Sequence, residues 1–474
     1  MAQLLTDCLV DILEYLEDDM INLHSCLLVN RLWCNISVRI FWRDIENYKR
    51  SNFRTLIACL PNESKEILNN NGINISTPTS KPPIFNYASF CKFLSIYQIS
   101  YKVRSLFKIP CRTFSNKPSI VTQEIIKLFF NQINSLKKLQ LCEYPNNINF
   151  YLESKVCFKN LSELQCNSNF SSEFFYKLSQ VCQNILSLNI RFEKLISKEL
   201  IDLTSAQKNL QSFCMTQPTR ENLIDLNPLI KQLSNTLIKL NINEYNFTSL
   251  SFISKFINLQ ELNLFLYDDD FIDFEKLQYS IFSNLQILKI QVICPRFELL
   301  IKFLENNGKN LKKCYIGVNE IFSNNSLNLA IAKFCPNLRK LSVGFKNNEL
   351  ETMKIIFNNC HYLESMNIWC GGEFLNEKEA LEIVIKYSPK NFYEIIFYYM
   401  NKIQSELLPE ELEFFFINWM NRVPQKSLSL IIINYKENSL NRNDNNMKII
   451  NKYIELGVIK RFEVMYYCDD DEVS

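Results

Sequence analysis

A heptapeptide of the form N-Φ-x-x-Φ-x-Φ, with Φ apolar, recurs along this chain and constrains its fold more than any other feature. It reads SLKKLQL at Leu136, NLSELQC at Leu161, NILSLNI at Ile185, NLQSFCM at Leu210, TLIKLNI at Leu237 and NLQELNL at Leu259. It continues as NLQILKI at Leu285, NLKKCYI at Leu311, NLRKLSV at Leu338, YLESMNI at Leu363 and NFYEIIF at Phe392. Successive copies stand 22 to 29 residues apart. Two weaker matches, Leu428 with Ile431 and Ile433, then Ile459 with Phe462 and Val464, extend the ladder.

Within each copy the Φ-x-Φ pair places two apolar side chains on one face of a short strand and turns the intervening residue to the other. Between copies the apolar spacing becomes helical: Phe174, Leu178 and Cys182 form one stripe, Leu327, Ile331, Phe334 and Cys335 another, and Leu350, Met353, Phe357 and Cys360 a third. Pro295 suits the opening of a helix over ELLIKFLE, and Gly308 is expected to close it in a left-handed conformation. Strand, connection, helix and next strand in about 25 residues make one coil of a stack. A lone coil buries too few side chains to offset the entropy of ordering its backbone, so stacking is obligatory.

Cys182, Cys335 and Cys360 each stand three residues before the first framework aliphatic of the next copy. With that interval the array resembles the cysteine-containing class of leucine-rich repeats. The resemblance implies an α/β leucine-rich-repeat solenoid, a horseshoe with parallel strands on its concave face. The Asn or Cys that usually comes after the strand in that class is mostly replaced here, with Asn169 and Asn319 as exceptions.

Residues 4–42 have another pattern. Leu5, Leu9, Ile12, Leu13 and Leu16 give the spacing of an amphipathic helix that Thr6 or Asp7 can cap, and Leu23, Leu27, Leu28, Val29, Leu32, Trp33 and Ile36 form a second stripe leading to Phe41 and Trp42. The segment resembles an F-box, a small three-helix motif with spaced Leu and Ile, a Val-x-x-x-Trp signature and a trailing Trp. Leu5, Leu9, Ile12, Leu16, Val29, Trp33 and Trp42 occupy those places, and Thr6 stands where the motif usually has proline. The resemblance implies docking of these seven residues on a Skp-type adaptor, and through it on a cullin ubiquitin ligase. The expected organisation is an all-α F-box-like domain over 1–45, a helical linker or degenerate first repeats over 46–130, and repeats over 131–474. The bland alternative makes residues 1–45 a cap on the stack.

Composition bears on what remains. With 52 basic and 50 acidic residues there is no general attraction to nucleic acid or anionic lipid. No apolar run is long enough to span a bilayer, and the acidic first twenty residues are unlike a signal peptide, so a cytoplasmic or nuclear protein is expected. Seventeen cysteines without a CxxC pair, and only His24 and His361, point to reduced buried thiols rather than zinc. Seven glycines contain no phosphate-cradling motif, so neither cofactor nor catalytic activity is expected. The run Asp268, Asp269 and Asp270 and the acidic tail Asp469, Asp470, Asp471 and Glu472 are read as solvated loops. Target binding is expected on strand residues between framework positions, such as Lys239, Glu261, Lys289, Lys340 and Asn367, with Phe265, Tyr315, Phe345 and Trp369 as aromatic anchors. The favoured function is a substrate-recognition adaptor of a Skp-cullin-F-box ubiquitin ligase. The alternative is a repeat scaffold or regulator that binds a protein without ubiquitination.

Overall fold

The computed structural model describes residues 6–78, 83–107, 116–141, 155–193, 196–217, 227–233, 236–243, 250–266, 274–317, 323–399, 405–424, 426–434 and 439–466. Leu5, Asn319, Asp268 to Asp270 and the acidic tail lie outside them. Two compact units divide the chain: residues 1–216 with 224–236, and residues 217–223 with 237–474.

The first unit begins with three helices, α1 (Thr6–Glu14), α2 (Met20–Cys26) and α3 (Arg31–Phe41). The Asp19 carboxylate caps α2 by accepting from the Asn22 N–H at 3.0 Å, and the Asn30 side chain caps α3 through the Trp33 N–H at 3.0 Å. Leu9, Leu13, Leu23, Cys26, Ile36 and Ile40 close a small core between the three. Arg43 clips α1 down through ion pairs of 2.9 Å to both Glu14 and Glu17.

Five parallel strands come next in this unit: β1 (Phe93–Ser95), β2 (Lys138–Gln140), β3 (Glu163–Asn167), β4 (Ser187–Arg191) and β5 (Ser212–Thr216), each paired with the next in sequence. The second unit holds nine more in the same order: β6 (Lys239–Asn243), β7 (Glu261–Leu266), β8 (Ile287–Val292), β9 (Lys313–Ile316), β10 (Lys340–Ser342), β11 (Ser365–Cys370), β12 (Glu394–Tyr399), β13 (Leu428–Asn434) and β14 (Ile459–Tyr466). Both units are α/β leucine-rich-repeat stacks, and every full copy of the heptapeptide carries a strand.

Register explains the repeat. Leu240, Leu262, Leu288, Cys314, Leu341, Met366, Ile395 and Leu430 align rung by rung into one fully buried column. The expected helical stripes pack beneath, with Phe174, Leu178, Leu327, Ile331, Met353 and Phe357 all buried. The leading Asn of the heptapeptide ties coils together: the Asn310 amide donates to the Ser283 carbonyl and the Asn337 amide to the Lys309 carbonyl, both at 2.8 Å. The cysteines do likewise. Cys182 donates its thiol to the Phe158 carbonyl at 3.3 Å and Cys360 to the Cys335 carbonyl at 3.4 Å. Burial pushes the Cys182 and Cys360 thiols up to about 12, which keeps them protonated donors.

Within residues 46–130, where a helical linker or degenerate first repeats are expected, β1 is a repeat strand: Leu94 aligns with Leu139, and buried Cys91 takes the place of the first framework leucine. No leading Asn marks it, which is why the heptapeptide misses it. One expectation changes. Gly308 comes directly after the helix Phe297–Asn307 with φ −69°, an ordinary right-handed conformation rather than a left-handed one. Its glycine is required by packing, because a Cβ there would lie 2.7 Å from Cys335 Sγ and 2.8 Å from the Phe334 carbonyl oxygen.

Candidate functional site

Two surfaces carry the residues singled out from sequence. On the N-terminal helices, large apolar side chains remain outside the small core. Ile12 is 48% exposed, Tyr15 91%, Ile21 79%, Leu28 79% and Val29 57%. Leu16 and Trp33 are half-buried against the core. Leu9 and Trp42 are buried, a correction to their expected place at a partner surface. Leu9 belongs to the helical core, and the Trp42 ring packs against Tyr48 and Tyr87 at 4.9 and 4.4 Å. Leu5 is outside the described residues. Sequence reasoning did not single out the exposed Tyr15, Ile21 and Leu28; only Leu28 lies in the apolar stripe, and stripe position alone does not separate the buried edge from the free one.

Residues 1–45 are also joined to the first repeat. Tyr48 donates its hydroxyl to the Trp42 carbonyl at 2.7 Å, the Lys92 N–H reaches the Arg43 carbonyl at 2.8 Å, and Asp44 forms a parallel bridge to Phe93 of β1.

The second surface is the sheet face of the second unit that points away from the framework column. Lys239, Glu261, Ile287, Lys313, Lys340, Ser365, Glu394, Ser429 and Arg461 align across it as one row, and Asn241, Asn263, Lys289, Tyr315, Ser342 and Asn367 belong to the next. Charges interlock along these rows. Glu261 stands in ion pairs with Lys239 at 3.3 Å and Lys289 at 3.5 Å, Lys340 pairs with Glu394 at 3.0 Å, and the Lys289 ammonium stands 6.0 Å from the Tyr315 ring. Burial raises the Tyr315 phenol above its usual range, with Glu394 and Glu261 adding to the shift against Lys340. Burial alone would raise Glu394, but hydrogen bonds from Ser365 and Lys340 outweigh it and hold the carboxyl below its usual range.

The four aromatic anchors separate. Tyr315 and Phe265 lie half-buried on this face. Phe345 is fully buried beyond β10, and Trp369 is buried, stacked on Tyr398 at 4.5 Å and packed against Phe374. Both are corrections to the expectation of exposed contacts. For Trp369 the physical reason is that from β11 onward the outward face turns apolar, with Ile396 and Ile433 joining the same cluster, while Phe345 stands an even number of positions after framework Leu341 and so keeps to its side.

No family model matches the chain, and no curated protein does. Among solved structures, it is similar to the leucine-rich repeat-containing protein LegL7 from Legionella pneumophila, at 15% identity over 69% of this chain and 93% of that one, with a TM-score of 0.32. It is also similar to the Rad7 and Elc1 complex in yeast, at 13% identity over 82% of this chain and 88% of that one, with a TM-score of 0.36. Neither likeness tells what this chain binds. No helix among the described residues is long and apolar enough to cross a membrane.

Proposed function

We propose that this protein is a non-catalytic substrate-recognition adaptor of a Skp-cullin-F-box ubiquitin ligase. Its N-terminal helices dock on a Skp-type adaptor, and the outward sheet face of its second unit holds a target protein. The observation that carries this reading is the set of five large apolar side chains, Ile12, Tyr15, Ile21, Leu28 and Val29, left exposed outside the core of the N-terminal helical unit. Exposed large apolar side chains close together in sequence on one small helical unit support an interaction site there. The F-box-like pattern supplies the kind of partner. On the target side, Lys289 and Tyr315 combine a cation with a half-buried ring, the composition of an interface anchor. Proximity is then the whole contribution: a held target sees a raised effective concentration of the charged conjugating enzyme.

The test is calorimetric titration of a purified Skp-type adaptor into the full chain. Ile12→Asp with Val29→Asp should weaken binding by about a hundredfold, since two apolar anchors are lost at roughly 1 to 2 kcal/mol each, while circular dichroism stays unchanged. A wild-type chain that does not bind the adaptor overturns the reading and leaves the scaffold alternative. Deleting residues 1–45 is the poorer experiment, because it removes Trp42 from between Tyr48 and Tyr87 and damages the first repeat.

A further inference from the structure

Away from the sheet face, the entries to β8, β9, β10 and β11 line a groove of about 340 Å³. Each coil contributes the residues just before its strand: Gln286, then Asn310 and Lys312, then Asn337 and Arg339, then Tyr362. Asn310 and Asn337 each donate from the side-chain amide to a neighbouring backbone carbonyl, and each amide also has an oxygen able to accept. Lys312 touches Gln286 Oε1 at 2.8 Å, and Arg339 gives one guanidinium nitrogen to Glu364 at 3.2 Å. Lys312 and Arg339 are the two cations that line the groove. The groove thus carries two cations, one of them shared with Glu364, among side-chain amides, with an exposed tyrosine ring at one end.

We infer that this groove binds an extended acidic peptide segment, at a site distinct from both surfaces of the proposed function. Adjacent strands are about 4.8 Å apart, so three coils span some 15 Å, or four to five residues of extended chain. Across that span a peptide offers carboxylates to Lys312 and Arg339, amide N–H groups to the Asn acceptors and carbonyls to Gln286. Amides stand between the cations, and Glu364 flanks them, a mixture suited to a peptide's alternating donors and acceptors rather than to an unbroken phosphate backbone.

The probe is fluorescein-labelled octaglutamate, titrated onto the full chain and read by fluorescence anisotropy. Saturable binding is expected, weakened about tenfold or more by Lys312→Glu with Arg339→Glu and by raised salt. Lys198→Glu with Lys448→Glu, which changes charge equally elsewhere, should leave it intact, as should Ile12→Asp with Val29→Asp. Absence of saturable binding overturns the inference, as does an equal loss in the Lys198 and Lys448 control. Tighter binding of octauridylate with the same sensitivity to Lys312 and Arg339 overturns it in favour of nucleic acid. Because the hook variant is silent here, failure of this site and failure of the ligase reading are distinguishable.

Discussion

Gly308 shows how a single residue is set by its neighbours rather than by its own backbone. With Phe334 carbonyl oxygen 2.8 Å from the site of a Cβ, Gly308→Ala must push two coils apart. The expected cost is about 1 to 3 kcal/mol, read as a lower urea midpoint with unchanged slope. Glu377 is the opposite case, a buried carboxylate with a full set of donors. It accepts from the Tyr399 hydroxyl, from Ser405 Oγ at 2.7 Å and from the Glu406 and Leu407 N–H groups at 2.9 and 3.2 Å, so it pins the next coil's loop. Glu377→Ala leaves those donors unpaired at a cost of roughly 3 kcal/mol, and amide exchange at residues 406 and 407 should accelerate while that of β6 and β7 does not. Neither role is legible in the sequence: Glu377 looks like any acid in a helix first turn. Trp369→Ala, attractive from sequence as a probe of target capture, is in fact a core truncation.

At the scale of elements, β14 is the strand on which the described stack ends. Beneath it, β13 reads LSLIIIN, a segment of high β-propensity and no charge that is buried at all but one position. β14 carries Lys460, Arg461 and Glu463, charges that blunt an edge. Truncation before Asp444 removes the helix Asp444–Glu455 and β14 together and bares β13. The truncated chain should aggregate on size-exclusion chromatography while the full chain does not. The Lys340 and Glu394 pair joins β10 to β12 across β11. Because Glu394 is held below its usual range when folded, its stabilisation is fully present above the unfolded value of roughly 4.3 and is lost as pH falls through the folded value. The acid arm of unfolding should therefore flatten in Glu394→Gln, monitored by tryptophan fluorescence below pH 5. A chain in which that arm is unchanged would assign acid sensitivity to other carboxylates.

For the whole molecule, the repeat is the legible part. Aliphatic residues every 22 to 29 positions can be buried in no other way than coil on coil, so strand order, parallel pairing and the framework column come from spacing alone. The leading Asn and the cysteines are visible too, though not their work of reaching back to the previous coil's carbonyls. The chain by itself also marks an amphipathic helical segment ahead of the repeats. What tertiary structure alone decided was exposure: which of Leu9, Ile12, Val29 and Trp42 face outward, and that Phe345 and Trp369 do not. Periodicity reports that a side chain lies on an apolar stripe, but whether that stripe is covered depends on elements distant in sequence, such as Tyr87 over Trp42 and Tyr398 over Trp369.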